Sequence, residues 1–177
     1  MGILDSYAVD NFAIDGTIGG VSKIVNFYTS FASSSTTVNI STVDINKSIV
    51  LISWRSDLFY AGDMPTAKII SNTQIQLDKG YQSSSYTYVY GQVIEFKKVK
   101  SIQRGESYAN NVQVHDIYIS SVDLTKSIVV CTMRIYSTST ASRYTMFNYY
   151  LLKNQQIRVI FADIVDAYVV WQVVEFD

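Results

Sequence analysis

The side chains able to carry chemistry in this 177-residue chain are few. His115 is the one histidine, and it is followed by Asp116. Together with a serine, such a pair could begin a nucleophile–base–acid relay or a metal site. On a strand, however, neighbouring side chains point to opposite faces, so His115 and Asp116 are not expected to act on one another. Cys131 is the one cysteine, so no intrachain disulfide can form. It lies in the apolar run Val129-Val130-Cys131-Thr132-Met133, where a buried and inert thiol is expected. Glu95 and Glu175 would have to face one another across roughly 5–10 Å to act as a glycosidase pair. They occupy equivalent places in two similar segments, which accounts for both without chemistry. Asp44 and Asp123 fall to the same argument, and one carboxylate per turn is too few for a calcium loop. Gly2 and Ser6 fit the short Met-Gly-x-x-x-Ser acylation pattern, but no polybasic signal follows. With no signal-peptide pattern visible, the sequons at Asn39 and Asn46 are expected to be accidental. No catalytic, cofactor-binding or metal-ligating set emerges, and a non-enzymatic protein with no cofactor is expected.

Tyrosine is the remaining functional residue type, with 14 in the chain. Tyr81, Tyr86, Tyr88 and Tyr90 form one run; Tyr144, Tyr149 and Tyr150 form another. Exposed rings among Ser and Asn make adaptable binding surfaces and can stack on sugars. Tyr81, Tyr86 and Tyr144 are therefore the candidate contacts to a host-surface glycan. The competing reading is that Tyr86, Tyr88 and Tyr90 share one strand face and simply pack.

The elements that must position these residues follow from composition and periodicity. Val and Ile number 20 each, against 7 Leu and 9 Ala, and Ser plus Thr make 35. β-Branched and aromatic residues suit a pleated, half-buried surface, so the chain reads as all-β. Lys plus Arg is 14 and Asp plus Glu 15, a balance that argues against nucleic-acid binding. No apolar run reaches the ~18 residues of a membrane span, and the first residues carry no signal-peptide pattern, so neither membrane insertion nor secretion is expected.

The chain also resembles itself. Residues 40–50, ISTVDINKSIV, match residues 119–129, ISSVDLTKSIV, at eight of eleven positions. Gln92-Val93-Ile94-Glu95-Phe96 matches Gln172-Val173-Val174-Glu175-Phe176 at nearly the same spacing, 80 against 79. The expected architecture is an internal duplication: two tandem β-sandwich or barrel-like domains, residues 21–97 and 98–177, behind an N-terminal arm, residues 1–20. Within each unit, a strand at 38–42 or 115–119 leads to a turn at 44–47 or 123–126. There the aspartate should accept from the N–H two residues on. A core-facing set follows: Val50, Ile52, Trp54, and Val129, Cys131, Met133. Hairpins are expected at 67–77 and 146–161, with closing strands at 87–96 and 167–176. The arm carries Ile3, Leu4, Tyr7, Val9, Phe12, Ile14 and Ile18, and Gly16, Gly19 and Gly20 offer a hinge. It is too apolar for a free tail, so these residues are the candidate partner-binding set.

The repeated unit resembles one found in virion proteins of tailed bacteriophages. The resemblance rests on Ser101-Ile102-Gln103-Arg104-Gly105, on residues 119–127, and on Trp171-Gln172-Val173-Val174-Glu175-Phe176. It covers most of 98–177. The first unit departs from it, with Lys23-Ile24-Val25-Asn26 at its start and Gly91 where the second has Trp171. The resemblance implies a virion structural protein, of head or tail decoration or fibre type, assembled in the host cytoplasm. Its implied partners are other virion proteins and its own copies, with a host glycan as the alternative.

Overall fold

The computed structural model describes residues 20–58, 60–80, 85–136 and 147–177. The arm residues Ile3 to Ile18, together with Tyr81 and Tyr144, lie outside them. The described chain is all-β, with ten strands in three sheets. β1 (Val21–Phe31), β6 (Thr87–Phe96) and β3 (Ser48–Ser56) form one antiparallel sheet, with β6 in the centre. β2 (Ser35–Asn39), β5 (Gln74–Lys79) and β4 (Pro65–Ser71) form the second. The third has β10 (Gln156–Glu175) between β7 (Ser101–Tyr118) and β8 (Ser127–Ile135), with β9 (Phe147–Lys153) also on β10.

The first two sheets pack as a sandwich. Val25, Phe27 and Phe31 of β1, Val50 of β3, and Val89 and Val93 of β6 meet Ala67 of β4 and Ile75 and Leu77 of β5. These are alternate positions, as a strand with one buried face requires. In the second half two expected strand breaks are absent. Residues 156–161 and 167–175 belong to the one strand β10, and 115–118 continue β7. Residues 32–34 interrupt the first half, where the Ser33 hydroxyl donates to the Ser35 carbonyl (2.7 Å). The second half bends through a bulge instead, with register shifts between Ile160 and Ala167. Asn111 takes φ 51° at this bend, and its N–H donates to Asp166 Oδ1 (2.8 Å). Asn is among the few residues that accept the left-handed region at modest cost. The bend lets Ile117, Ile157 and Val159 share a core with Cys131, Met133, Val169 and Val173.

The two repeated turns are single turns of 3-10 helix with the same cap. Asp44 accepts from Asn46 N and Asp123 from Thr125 N, each at 2.9 Å. The repeated glutamates close these turns from the other side. Glu95 accepts from Asp44 N (2.9 Å) and Glu175 from Asp123 N (3.0 Å). Each caps an otherwise orphaned donor, a structural task that explains why both stand at a strand end. Just upstream, Val43 and Val122 are buried, and their N–H groups donate to the hairpin carbonyls of Asn72 and Asn154.

Of the expected core triplets, Val50, Cys131 and Met133 are buried, whereas Ile52, Trp54 and Val129 are partly buried against the cores. Trp54 packs on both large clusters, and Met64 of the first half enters the core of the second. A third cluster spans the seam: Ile49, Ile94 and Phe96 with Val174 and Phe176. The two halves therefore share buried apolar surface.

Candidate interaction surface

The halves meet edge on face. Side chains on the outward face of β7, β10 and β8 receive the free edge of β3 and the neighbouring strand β4. The central contact is Gln172, only 3% exposed. Its Oε1 accepts from Val50 N (3.0 Å) and its Nε2 donates to the Val50 carbonyl (2.9 Å). One amide thus satisfies both main-chain groups that an edge strand would leave open. Arg104 donates to the carbonyls of Ile45 (2.5 Å) and Ser48. Thr132 Oγ1 accepts from Ala67 N (3.3 Å).

Four charges close the seam in alternating order. Lys68 and Asp78 come from the first half, Glu106 and Arg134 from the second. The contacts are Lys68–Glu106 2.8 Å, Lys68–Asp78 3.3 Å, Arg134–Asp78 3.4 Å and Arg134–Glu106 2.5 Å. Burial works to raise the Asp78 pKa. Hydrogen bonds from Ser35 and Gln76 and the charges of Lys68 and Arg134 outweigh it and hold the carboxyl below its ordinary value.

The matching face of β1, β6 and β3 carries a similar set, which no described residue covers. Gln92 takes the place of Gln172, Asn26 of Arg104, Ser53 of Thr132, Tyr28 of Glu106 and Tyr90 of Val170, as the strand pairings align them. Gln92 donates to Asn26 Oδ1 (2.9 Å). Tyr28 and Tyr90 stack with centroids 4.7 Å apart. A depression of about 400 Å³ lies beside them, lined by Asn26, Leu51, Ser53, Tyr90 and Gln92 among others. The corresponding depression of the second half, about 220 Å³, has Ala67 to Ile70 of β4 as its far wall. Val170 is 4% exposed there, and Tyr90 is 51% exposed in the open one.

Both sheets also place an aromatic ring over a glycine, with the strands exchanged. Phe27 of β1 covers Gly91 of β6, and Trp171 of β10 covers Gly105 of β7. A Cβ on Gly91 would lie 2.0 Å from the Phe27 ring, and one on Gly105 2.5 Å from Trp171. Each ring needs the space its cross-strand partner leaves empty.

The residues singled out for chemistry are spread apart. His115 Nε2 lies 2.7 Å from Ser107 Oγ, and burial pushes the imidazole below its ordinary pKa while Asp116 pulls the other way. Asp116 is held by Arg158 through two 2.7 Å contacts, which lower its pKa. Its carboxylate is therefore committed across the strands to Arg158. Cys131 is buried, and that burial pushes its thiol up to about 12. Among the described residues no three His, Cys, Asp or Glu gather to hold a metal, and no helix is long and apolar enough to cross a membrane. Tyr86 is exposed and stands 6.4 Å from Tyr88, whose ring carries the Arg55 guanidinium at 3.8 Å. Asn26, Tyr28, Ser53 and Gln92 were not distinguished by sequence. The signal was present in the Gln-Val-x-Glu-Phe repeat, but nothing local says what its glutamine grips.

Comparison with protein-family models, curated proteins and solved structures gives no match.

Proposed function

We propose that this chain is a non-enzymatic structural protein of a tailed-phage virion, built from two tandem copies of one β unit, which attaches to the capsid or tail through protein–protein contacts. One observation carries the reading. The hydrogen-bonding face that grips a strand edge at the seam has a counterpart on the first half that no described residue covers, with Gln92, Asn26 and Ser53 in place. A surface made to hold main-chain edges suits assembly better than turnover. The unit's resemblance to phage virion repeats supports the setting. The apolar set Ile3, Leu4, Tyr7, Val9, Phe12, Ile14 and Ile18 is proposed as a second attachment element. Electron microscopy of phage particles labelled with antibody against this chain tests the reading. Label on head or tail is expected; a chain present in the infected lysate but never on particles refutes it.

A second reading is favoured by the exposed tyrosines. Tyr28 and Tyr90 form an aromatic platform beside Asn26 and Gln92, with Tyr86 exposed next to Tyr88, the composition of a surface that stacks on a pyranose ring. In that case the same face binds a host glycan, and a glycan array with wild type and Tyr90→Ser separates the two readings.

A further inference from the structure

We infer that the open face of β1, β6 and β3 is a receptor for the β8–β9 edge of a second copy of this chain, so that copies join head to tail. The inference rests on the assembly reading above and names its partner. The seam inside the chain is heterologous: a face of the second half holds an edge of the first. Among the described residues no strand pairs with the outer edge of β8, and none packs on the open face of β1, β6 and β3, so a face on the first half and an edge on the second are left as complementary surfaces. Surfaces of this kind build rings when the rotation closes and filaments when it does not.

The free edge matches the bound one in position. Val129 of β8 stands where Val50 stands on β3, opposite Val173 as Val50 is opposite Val93. Ile128 corresponds to Ile49, and the two differ in exposure: Ile49, at the seam, is 2% exposed, whereas Ile128 is 40% exposed. On the neighbouring strand, Tyr150 pairs with Arg158 as Lys68 pairs with Gln76, and Tyr150 is exposed.

The chemistry matches as well. At the seam Lys68 meets Glu106. At the proposed contact the two corresponding residues are Tyr150 and Tyr28, so both sides change together from opposite charges to aromatic rings. Gln92 would take the main-chain groups of Val129 as Gln172 takes those of Val50. Asn26 would reach the carbonyl of Leu124 or Ser127, the counterparts of Ile45 and Ser48. A saccharide would use the same tyrosines but would leave the exposure of Ile128 and Tyr150 without a role.

The experiment is sedimentation velocity on the full chain over rising concentration, with a face variant, Tyr90→Glu, and an edge variant, Ile128→Glu. Both positions are exposed, so each variant is expected to fold; Gln92→Ala replaces the face variant if Tyr90→Glu does not. Wild type is expected to grow beyond its 20.0 kDa monomer mass with concentration. Each variant alone stays monomeric. An equimolar mixture forms a dimer that does not extend, because each variant retains the surface the other lacks. Wild type that stays monomeric at millimolar concentration overturns the inference, as does a mixture that forms no dimer. If Tyr90→Glu then loses binding to phage particles, the attachment reading stands without self-assembly; if wild type binds neither itself nor particles, both fall. Glycan binding lost in Tyr90→Glu, without self-association, gives the face to a saccharide and also overturns the inference.

Discussion

Gln172→Ala and Gln92→Ala remove the same side chain from corresponding places in two similar sheets, and they are expected to differ sharply. Gln172 is buried and closes both main-chain groups of Val50, a residue with no exposed surface. Its loss leaves a buried N–H and a buried carbonyl without partners, at about 1–3 kcal/mol each. Release of the glutamine's side-chain entropy offsets part of this, on the order of 1 kcal/mol. The net loss is about 1–5 kcal/mol, which for a chain of this length lowers Tm by roughly 2–20 °C. Gln92 bonds to Asn26 at an exposed site. Its replacement should cost within about 0.5 kcal/mol, as for most surface changes. Urea titration of dilute protein followed by tryptophan fluorescence is the assay, since Trp54 packs on both large clusters and reports on the seam. Gln172→Glu, which keeps an acceptor but loses the donor, should fare no better than alanine. Equal losses for the two alanine variants, or a loss below about 1 kcal/mol for Gln172→Ala, would refute the clasp.

Three further outcomes follow from the packing and charge. Gly91→Ala drives a Cβ into the Phe27 ring and should destabilise by about 1–3 kcal/mol, with Phe27→Leu in the same chain recovering part of the loss in thermal melts. Asp63 and Lys79 are a fully buried ion pair at 3.5 Å. Lys79→Met or Asp63→Ala alone should cost about 3–5 kcal/mol by stranding a charge, and the double variant should cost much less than the sum in a double-mutant cycle. The seam should weaken in acid. Asp78 has its pKa lowered from the ordinary 3.8, so its contribution is full above that value and is lost as pH falls below it toward the folded-state pKa. Stability of Asp78→Asn measured against pH should lack that segment of the wild-type profile; an unchanged profile below pH 4 shows that the network is not responsible.

Much of the fold was legible because it is local. The excess of Val, Ile and Tyr over Leu and Ala announces strands, since β-branched side chains suit a pleated surface wherever they occur. The Asp44 and Asp123 turns are equally local: a carboxylate reaches an N–H two residues away without help from the rest of the chain. The spacing of 79–80 residues placed Glu95 and Glu175 at matching strand ends, although only the structure shows that each caps its unit's turn.

What depends on distant partners was not legible. Residues 156–175 read as two strands, and Asp166 binding the Asn111 N–H across a bulge makes them one. Gln92 and Gln172 sit in nearly the same pentapeptide, yet one lies at the open face and the other inside the seam. Tyr28 and Tyr90 are 62 positions apart in sequence and 4.7 Å apart between ring centroids. A strand's own residues state that it has two faces; which face meets water, and which an edge of its neighbour, is set by the docking of one half on the other. That choice belongs to the tertiary structure, because burial depends on what arrives at a surface and not on the residues that form it.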